Sequence, residues 1–217
     1  MGRTRRRLLA AVPLLLCLAA TTAQAQQEQP FRNSWFWGLH AGSTAIGTPA
    51  RSTTQAGTIG AEWMITRTDG GLYVAYDQAS FSRMSAVVDP SASNGTRPVM
   101  LHDLRTVSIG GVAFPWHSGP FRPYAGLGYA LSLISSADIQ PDSLNTAVSA
   151  GVSQNVDDAR SRSSIFALAG AQWQINRAAI FAQASFIPSS SQFLVTKPIT
   201  NIMAGIRYNF GTSIDSQ

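Results

Sequence analysis

Apolar and polar residues alternate one by one along most of this chain. The stretch from Asn201 to Phe210 shows it most plainly. Ile202, Ala204, Ile206, Tyr208 and Phe210 fall on one face, and Asn201, Met203, Gly205, Arg207 and Asn209 fall on the other. Period two over ten residues is the pattern of a strand with one apolar and one polar face. Such a strand needs a partner on each edge, and seven further segments qualify. Trp35 to Ile46 sets Trp35, Trp37, Leu39 and Ala41 against Phe36, Gly38, His40, Gly42 and Thr44. Thr54 to Thr66 sets Ile59, Ala61, Trp63 and Ile65 against Thr58, Gly60, Glu62 and Met64. Gly71 to Ser82, Phe121 to Leu133, Ser161 to Ile175 and Ala178 to Ile187 follow the same rule. Val99 to Phe114 is the least regular: Val107, Ile109 and Ala113 share one parity while Leu104 and Val112 take the other. A bulge near Gly110-Gly111 would reconcile them.

The connections also alternate. Those after the second, fourth and sixth strands are tight, with Asp69-Gly70 and Asn176-Arg177 as turn pairs. Those after the third, fifth and seventh are long and polar, the main ones covering residues 83–98 and 134–160. Short turns on one side and long loops on the other are the asymmetry of barrels in the outer membrane of a Gram-negative envelope; the short first outside connection is the exception. Aromatic residues gather toward the tight-turn end: Trp35, Trp37, Trp63, Trp173, Tyr208 and Phe210, with Phe114, Trp116 and Phe121. An aromatic girdle at a membrane interface gives that distribution a reason. The expected fold is all-β, an eight-stranded antiparallel up-and-down transmembrane barrel over residues 35–210, preceded by a cleaved signal peptide.

The leader is read from Arg3, Arg5, Arg6 and Arg7, the apolar run Leu8 to Ala20 and the Ala23-Gln24-Ala25 cleavage site, giving a signal peptide over residues 1–25. Residues 26–34 then form a periplasmic N-terminal segment, and residues 211–217 a C-terminal tail. The arginines also resemble a twin-arginine signal, but a membrane barrel must cross the inner membrane unfolded, which favours the general secretory route. Leu16 before Cys17 argues against a lipid anchor, and no cysteine follows. Of the formal charge of +5, four positive charges belong to the leader, so the mature chain is nearly neutral and carries no basic patch for nucleic acid.

The final Gly205-Ile206-Arg207-Tyr208-Asn209-Phe210 and the strand Arg122-Pro123-Tyr124-Ala125-Gly126-Leu127-Gly128-Tyr129 resemble the small outer-membrane barrels of the OmpA and OmpX type. The resemblance covers nearly the whole mature chain and implies architecture more than activity. It implies outer-membrane lipid and lipopolysaccharide as surroundings, and the barrel-assembly machinery as the partner reading the C-terminal strand. In many members the terminal aromatic ends the chain; here Gly211 to Gln217 follow Phe210.

An eight-stranded lumen is narrow enough to be filled by side chains. The inward-facing set includes His40, Glu62, Asp77, Arg122, Tyr124, Gln172, Gln183, Asn201 and Arg207. Isolated charges there are costly, so Glu62 and Asp77 are expected to pair with Arg207 and Arg122 in a network that plugs the barrel. A lipid acyl hydrolase or transferase would need Ser and His on one face near an acid and close to the lipid boundary. His102 has Asp103 beside it, but strand neighbours point to opposite faces; His40 has no serine two residues away, and His117-Ser118 lies in a turn. Three scattered histidines make no metal set, and Gly126-Leu127-Gly128 lies mid-strand, not at a phosphate loop. No catalytic, cofactor or metal residue is assigned. The leading function is structural or surface interaction: envelope integrity, or adhesion through the outer loops to a partner the sequence does not name. A narrow channel for ions or small solutes is the alternative, ahead of a soluble lipocalin-like ligand binder.

Overall fold

A computed structural model describes residues 31–48, 51–116, 119–142, 146–188 and 193–212. The leader and the end of the tail lie outside these residues. Eight strands form one closed antiparallel barrel in which each pairs with its sequence neighbours and the last with the first. They are β1 (Ser34–Thr48), β2 (Arg51–Thr66), β3 (Gly70–Val88), β4 (Thr96–Ala113), β5 (Phe121–Ile139), β6 (Ser161–Ile175), β7 (Ala178–Ile187) and β8 (Ile199–Thr212). One helix, α1 (Ala150–Asp158), lies between β5 and β6. No helix among the described residues is long and apolar enough to cross a membrane; the strands carry the apolar surface.

Closure follows from the alternation. The apolar set of every strand points outward and stays uncovered, as with Leu39 (66% exposed), Leu127 (72%) and Ile202 (66%). The opposite set, Phe36, His40, Thr58, Glu62, Tyr73, Tyr124, Gln183 and Arg207 among it, is buried in the lumen. A water-soluble barrel has the reverse arrangement. The tight ends are chemically specified. Asn176 takes φ 55 in the Asn176-Arg177 turn, a conformation Asn tolerates. At the Asp69 turn the Arg67 N–H donates to Gly70 O (2.6 Å) and the Phe114 N–H to Asp69 O (2.8 Å).

β3, β4 and β5 run further at their outer ends than the sequence pattern indicates, whereas β6 and β7 keep the expected bounds. Much of the expected 83–98 loop is strand, leaving only residues 89–95 as a turn, and the 134–160 loop holds the end of β5 and all of α1. The polar composition hid this because these strand ends stand above the belt, where alternation no longer needs an apolar outer face. Ser149 caps α1 by accepting from the Val152 N–H (3.3 Å), and Val152 and Val156, one turn apart, are its buried side chains.

No bulge occurs at Gly110-Gly111. There β4 runs in register with both neighbours, Gly110 opposite Tyr73 and Gly128, Gly111 opposite Leu72 and Leu127. Leu104 and Val112 simply face the lumen. The irregularity lies higher: Ser80 and Phe81 of β3 stand opposite Asp103 alone, which has φ 49 and accepts the Phe81 N–H at Oδ1 (3.3 Å). At that level β4 changes face. Below it Leu104, Thr106, Ser108 and Val112 point inward; above it Arg97, Val99 and Leu101 do. β5 changes with it, from Ala130, Ser132 and Ile134 to Ala137 and Ile139.

Candidate functional site: a filled lumen and an elaborated outer end

The lumen is filled in three tiers. At the tight-turn end, Phe31 folds into the opening. Its ring meets Phe114 edge-on (4.7 Å between centroids) and Phe36 (5.7 Å), and the Arg122 guanidinium lies 4.1 Å over its other side. Thr66 Oγ1 donates to Phe31 O and accepts from the Ser34 N–H (3.2 Å), pinning this segment to β2.

The middle tier is built around Arg207, which is fully buried. Its Nε donates to Glu62 Oε1, Nη1 to Gln172 Oε1 (2.6 Å), and Nη2 to Tyr124 Oη (2.9 Å) and Gln183 Oε1 (3.2 Å). The guanidinium lies 3.9 Å from the Phe181 ring centroid and 4.9 Å from that of Tyr124. Gln183 Nε2 donates to Glu62 Oε2 (3.3 Å) and Tyr73 Oη (2.9 Å), closing the network. Asp77 meets His40 Nε2 at 2.6 Å, and His40 Nδ1 stands 3.7 Å from Glu62.

The structure therefore brings together three of the four residues expected to form the network. Glu62 holds Arg207, but the partner of Asp77 is His40, not an arginine. Arg122 is outside the network altogether, stacked on Phe31 with its Nε donating to Gly119 O (3.3 Å). Its position near the start of β5 puts it one tier below the carboxylates. Above them, the void lined by Tyr73, Asp77, Ser108, Phe166, Gln183 and Met203 is about 10 Å³, room for one water.

The third tier is apolar. Phe193, Leu194 and Val195, between β7 and β8, are buried in one cluster with Ile46, Val99, Leu101, Ile134, Ile187 and Ile199. Their backbone is tied down as well: the Leu194 N–H donates to Ala159 O (3.2 Å), Ser85 Oγ to Leu194 O (3.1 Å) and the Lys197 N–H to Gly47 O (3.3 Å). Each such side chain contributes about 1.5–3 kcal/mol on burial.

The aromatic residues expected in the girdle face outward in a band. Trp35 and Trp37 lie against Trp63 (5.3 and 6.2 Å), Phe121 against Trp173 (6.3 Å) and Tyr208 against Phe210 (5.1 Å). Phe114 is the exception, turned into the lumen.

A second cluster was not visible in the sequence. Ser82, His102 and Asp138, from β3, β4 and β5, line up on the outer face above the belt. Ser82 Oγ is 2.7 Å from His102 Nδ1, and His102 Nε2 is 3.3 Å from Asp138 Oδ2. The acid beside His102 comes from the next strand, not from Asp103. The one sequence signal was the parity switch from Val99 and Leu101 to Leu104, which places the change of face but not its cross-strand partners. No group of three or more His, Cys, Asp or Glu among the described residues is placed to hold a metal ion.

Comparison with solved structures agrees with this architecture. Neisserial surface protein A matches with a TM-score of 0.55 at 11% identity, covering 81% of this chain and 97% of that one. Ail, the attachment invasion locus protein of Yersinia pestis, matches with a TM-score of 0.49 at 13% identity, covering 83% and 100%. At 11% identity the likeness to Neisserial surface protein A is one of fold. No protein-family model and no curated protein sequence matches the chain. The fold is that of the small outer-membrane β-barrels.

Proposed function

We propose that this protein is an integral outer-membrane barrel whose lumen is a closed structural core and whose outer end is its working surface. The observation that carries this is the three-tier filling of the lumen, with Phe31 below, Arg207 in the middle and Phe193 to Val195 above. A conducting path needs water continuity, and the void beside the middle tier, about 10 Å³, holds one water and not a column. The exposed apolar belt is matched to lipid and lipopolysaccharide, and β8, ending in outward Tyr208 and Phe210, is the strand offered to the barrel-assembly machinery. The outer end is where the chain departs from a minimal barrel. There the rim of β3, α1 and the β7–β8 connection enclose a cleft of about 570 Å³ lined by Val87, Val88, Asn155, Asp158, Phe193 and Leu194. Surface contact or adhesion through these elements, with a contribution to envelope integrity, is the function the arrangement supports best.

Two measurements test this reading. Heat-modifiable mobility on a gel, from an outer-membrane fraction, is expected. In planar bilayers the purified barrel is expected to give no steady single-channel steps; a reproducible unitary conductance would replace the surface role with transport.

A further inference from the structure

The Ser82–His102–Asp138 cluster has an arrangement that surface polar residues do not need. The carboxylate of Asp138, 3.3 Å from Nε2 at ion-pair distance, favours the neutral tautomer with its proton on Nε2, and in that tautomer the Nδ1 lone pair accepts from the Ser82 hydroxyl. That is the nucleophile, base and orienting acid of a hydrolytic serine site, recognised by geometry and roles, not by chain order. The ring nitrogens take the opposite places from the usual arrangement, which leaves the proton path unchanged. The His102 side chain is 38% exposed and that of Asp138 62%, and Ser82 is open to the outside.

Backbone geometry sets the cluster on this face. The two-against-one irregularity at Asp103 turns His102 from the lumen to the exterior, and Asp103 Oδ1 holds it by accepting the Phe81 N–H. The β4–β5 register then puts Ser136 directly opposite His102, a further hydroxyl on the same face.

Position selects the substrate. On the same three strands, Tyr76, Val107 and Leu131 form one outward apolar row, and Leu133 lies two residues nearer the cluster on β5. Leu133 and Ser136 are three residues apart, about 10 Å along a strand and about 7 Å in height once barrel tilt is allowed for. That displacement carries a group from the hydrocarbon edge into the headgroup layer, where the acyl ester carbonyls of a lipid lie. Arg105, exposed between belt and cluster beside Gln78 and Leu133 in the register, offers a cation to a phosphate-bearing headgroup.

The geometry points to a serine esterase site acting on acyl esters of outer-leaflet lipid. Ser82 Oγ attacks the ester carbonyl carbon as its proton passes to His102 Nδ1. The tetrahedral intermediate collapses, the C–O bond to the lipid alcohol breaks, and the departing alkoxide takes the proton from His102. Water, deprotonated by His102, then attacks the acyl-Ser82 carbonyl, releasing a fatty acid and regenerating the hydroxyl. This goes beyond the surface role and rests on the outer-membrane placement of the belt.

The test uses the full mature barrel, refolded in detergent and confirmed closed by heat-modifiable mobility. It is given a micellar p-nitrophenyl acyl ester, phospholipid vesicles, and vesicles containing lipopolysaccharide. Ester turnover with fatty acid release from either vesicle is expected, and the vesicle that responds identifies the source of the ester. Ser82→Ala and His102→Asn, each still heat-modifiable, are expected to lower the rate at least about 100-fold, and a fluorophosphonate probe is expected to label Ser82. A closed wild-type barrel that releases no fatty acid from either vesicle overturns the lipid-ester assignment, whatever it does to the soluble ester. Turnover unchanged by Ser82→Ala overturns the site itself. Failure of the chain to fractionate with the outer membrane overturns the placement and with it the outer-leaflet substrate, and is told apart from failure of the site by turnover of the soluble ester and labelling of Ser82.

Discussion

Glu62 of β2 and Arg207 of β8, 145 residues apart in sequence, both stand opposite Gly38 of the intervening β1 and meet over it as a hydrogen-bonded ion pair with almost no exposure to solvent. Around them Gln172, Gln183 and Tyr124 satisfy the rest of the guanidinium. The pair is embedded among the inward aromatic side chains of Tyr124 and Phe181.

Breaking such a pair from one side leaves a buried charge uncompensated, at a cost of about 3–5 kcal/mol. Glu62→Gln and Arg207→Met are each expected to destabilise the barrel by that order in urea unfolding from lipid vesicles. The double variant is expected to recover part of the loss, since neither charge then remains. Single variants no worse than an outward polar substitution would show that the pair contributes little.

Gly110 and Gly111 are sequence neighbours on opposite faces, and they separate the observed register from a bulged one. A Cβ on Gly110 would come within 2.5 Å of Leu127 O and 2.9 Å of Gly128 Cα, whereas on Gly111 it meets nothing within 4 Å. Gly110→Val is expected to prevent recovery of the heat-modifiable form, and Gly111→Val to leave it intact. Equal tolerance at both positions would contradict the regular pairing of β4 here.

Leu39 projects outward from the middle rows of the belt, opposite Ile206 and Ala61. If lipid is what it touches, Leu39→Arg costs about 2–4 kcal/mol near the bilayer midplane. Vesicle-based unfolding measures this; a variant as stable as wild type would mean that the exposed belt meets water.

Asp89, in the β3–β4 turn outside the belt, has its pKa held below the ordinary 3.8, first by the Ser91 hydroxyl (2.6 Å) and then by Arg97 (2.6 Å). A depressed folded-state pKa means that the unfolded carboxyl takes up a proton first as pH falls. The stabilisation is therefore complete above the ordinary value and is lost as pH drops through the lower folded one. Carboxyl NMR titration is expected to show an Asp89 midpoint below that of a free Asp, and amide exchange at Ala92 and Gly95 is expected to accelerate only below about pH 4. Ser91→Ala is expected to move both upward; no movement would assign the shift to Arg97 alone.

The faces of the strands were legible in the sequence because period two is a local property. Leu39, Ile59, Leu127 and Ile202 could be placed outside from their immediate neighbours. What faces what across a closed barrel depends on register, which alternation does not encode. Asp77 was therefore matched by sign with an arginine when its neighbour at that level is His40, and Arg122 was drawn into a network one tier above it. The Ser82–His102–Asp138 alignment was hidden for a further reason. It lies beyond a two-against-one irregularity, so that a regular strand would have turned His102 inward. The outer ends of β3, β4 and β5 were read as loop because polarity on both faces erases the signal.

Those uneven ends make the rim a ramp. β3 to β5 climb to Val88, Thr96 and Ile139, while β7 stops at Ile187 beside a connection folded back into the mouth. In the proposed orientation, an antibody or phage approaching an intact cell meets the tall side first, and the opposite side sits low among the sugar chains. A peptide tag inserted at Asn94-Gly95 would be displayed, whereas one beside Leu194 would have to displace the stopper of the barrel to be seen.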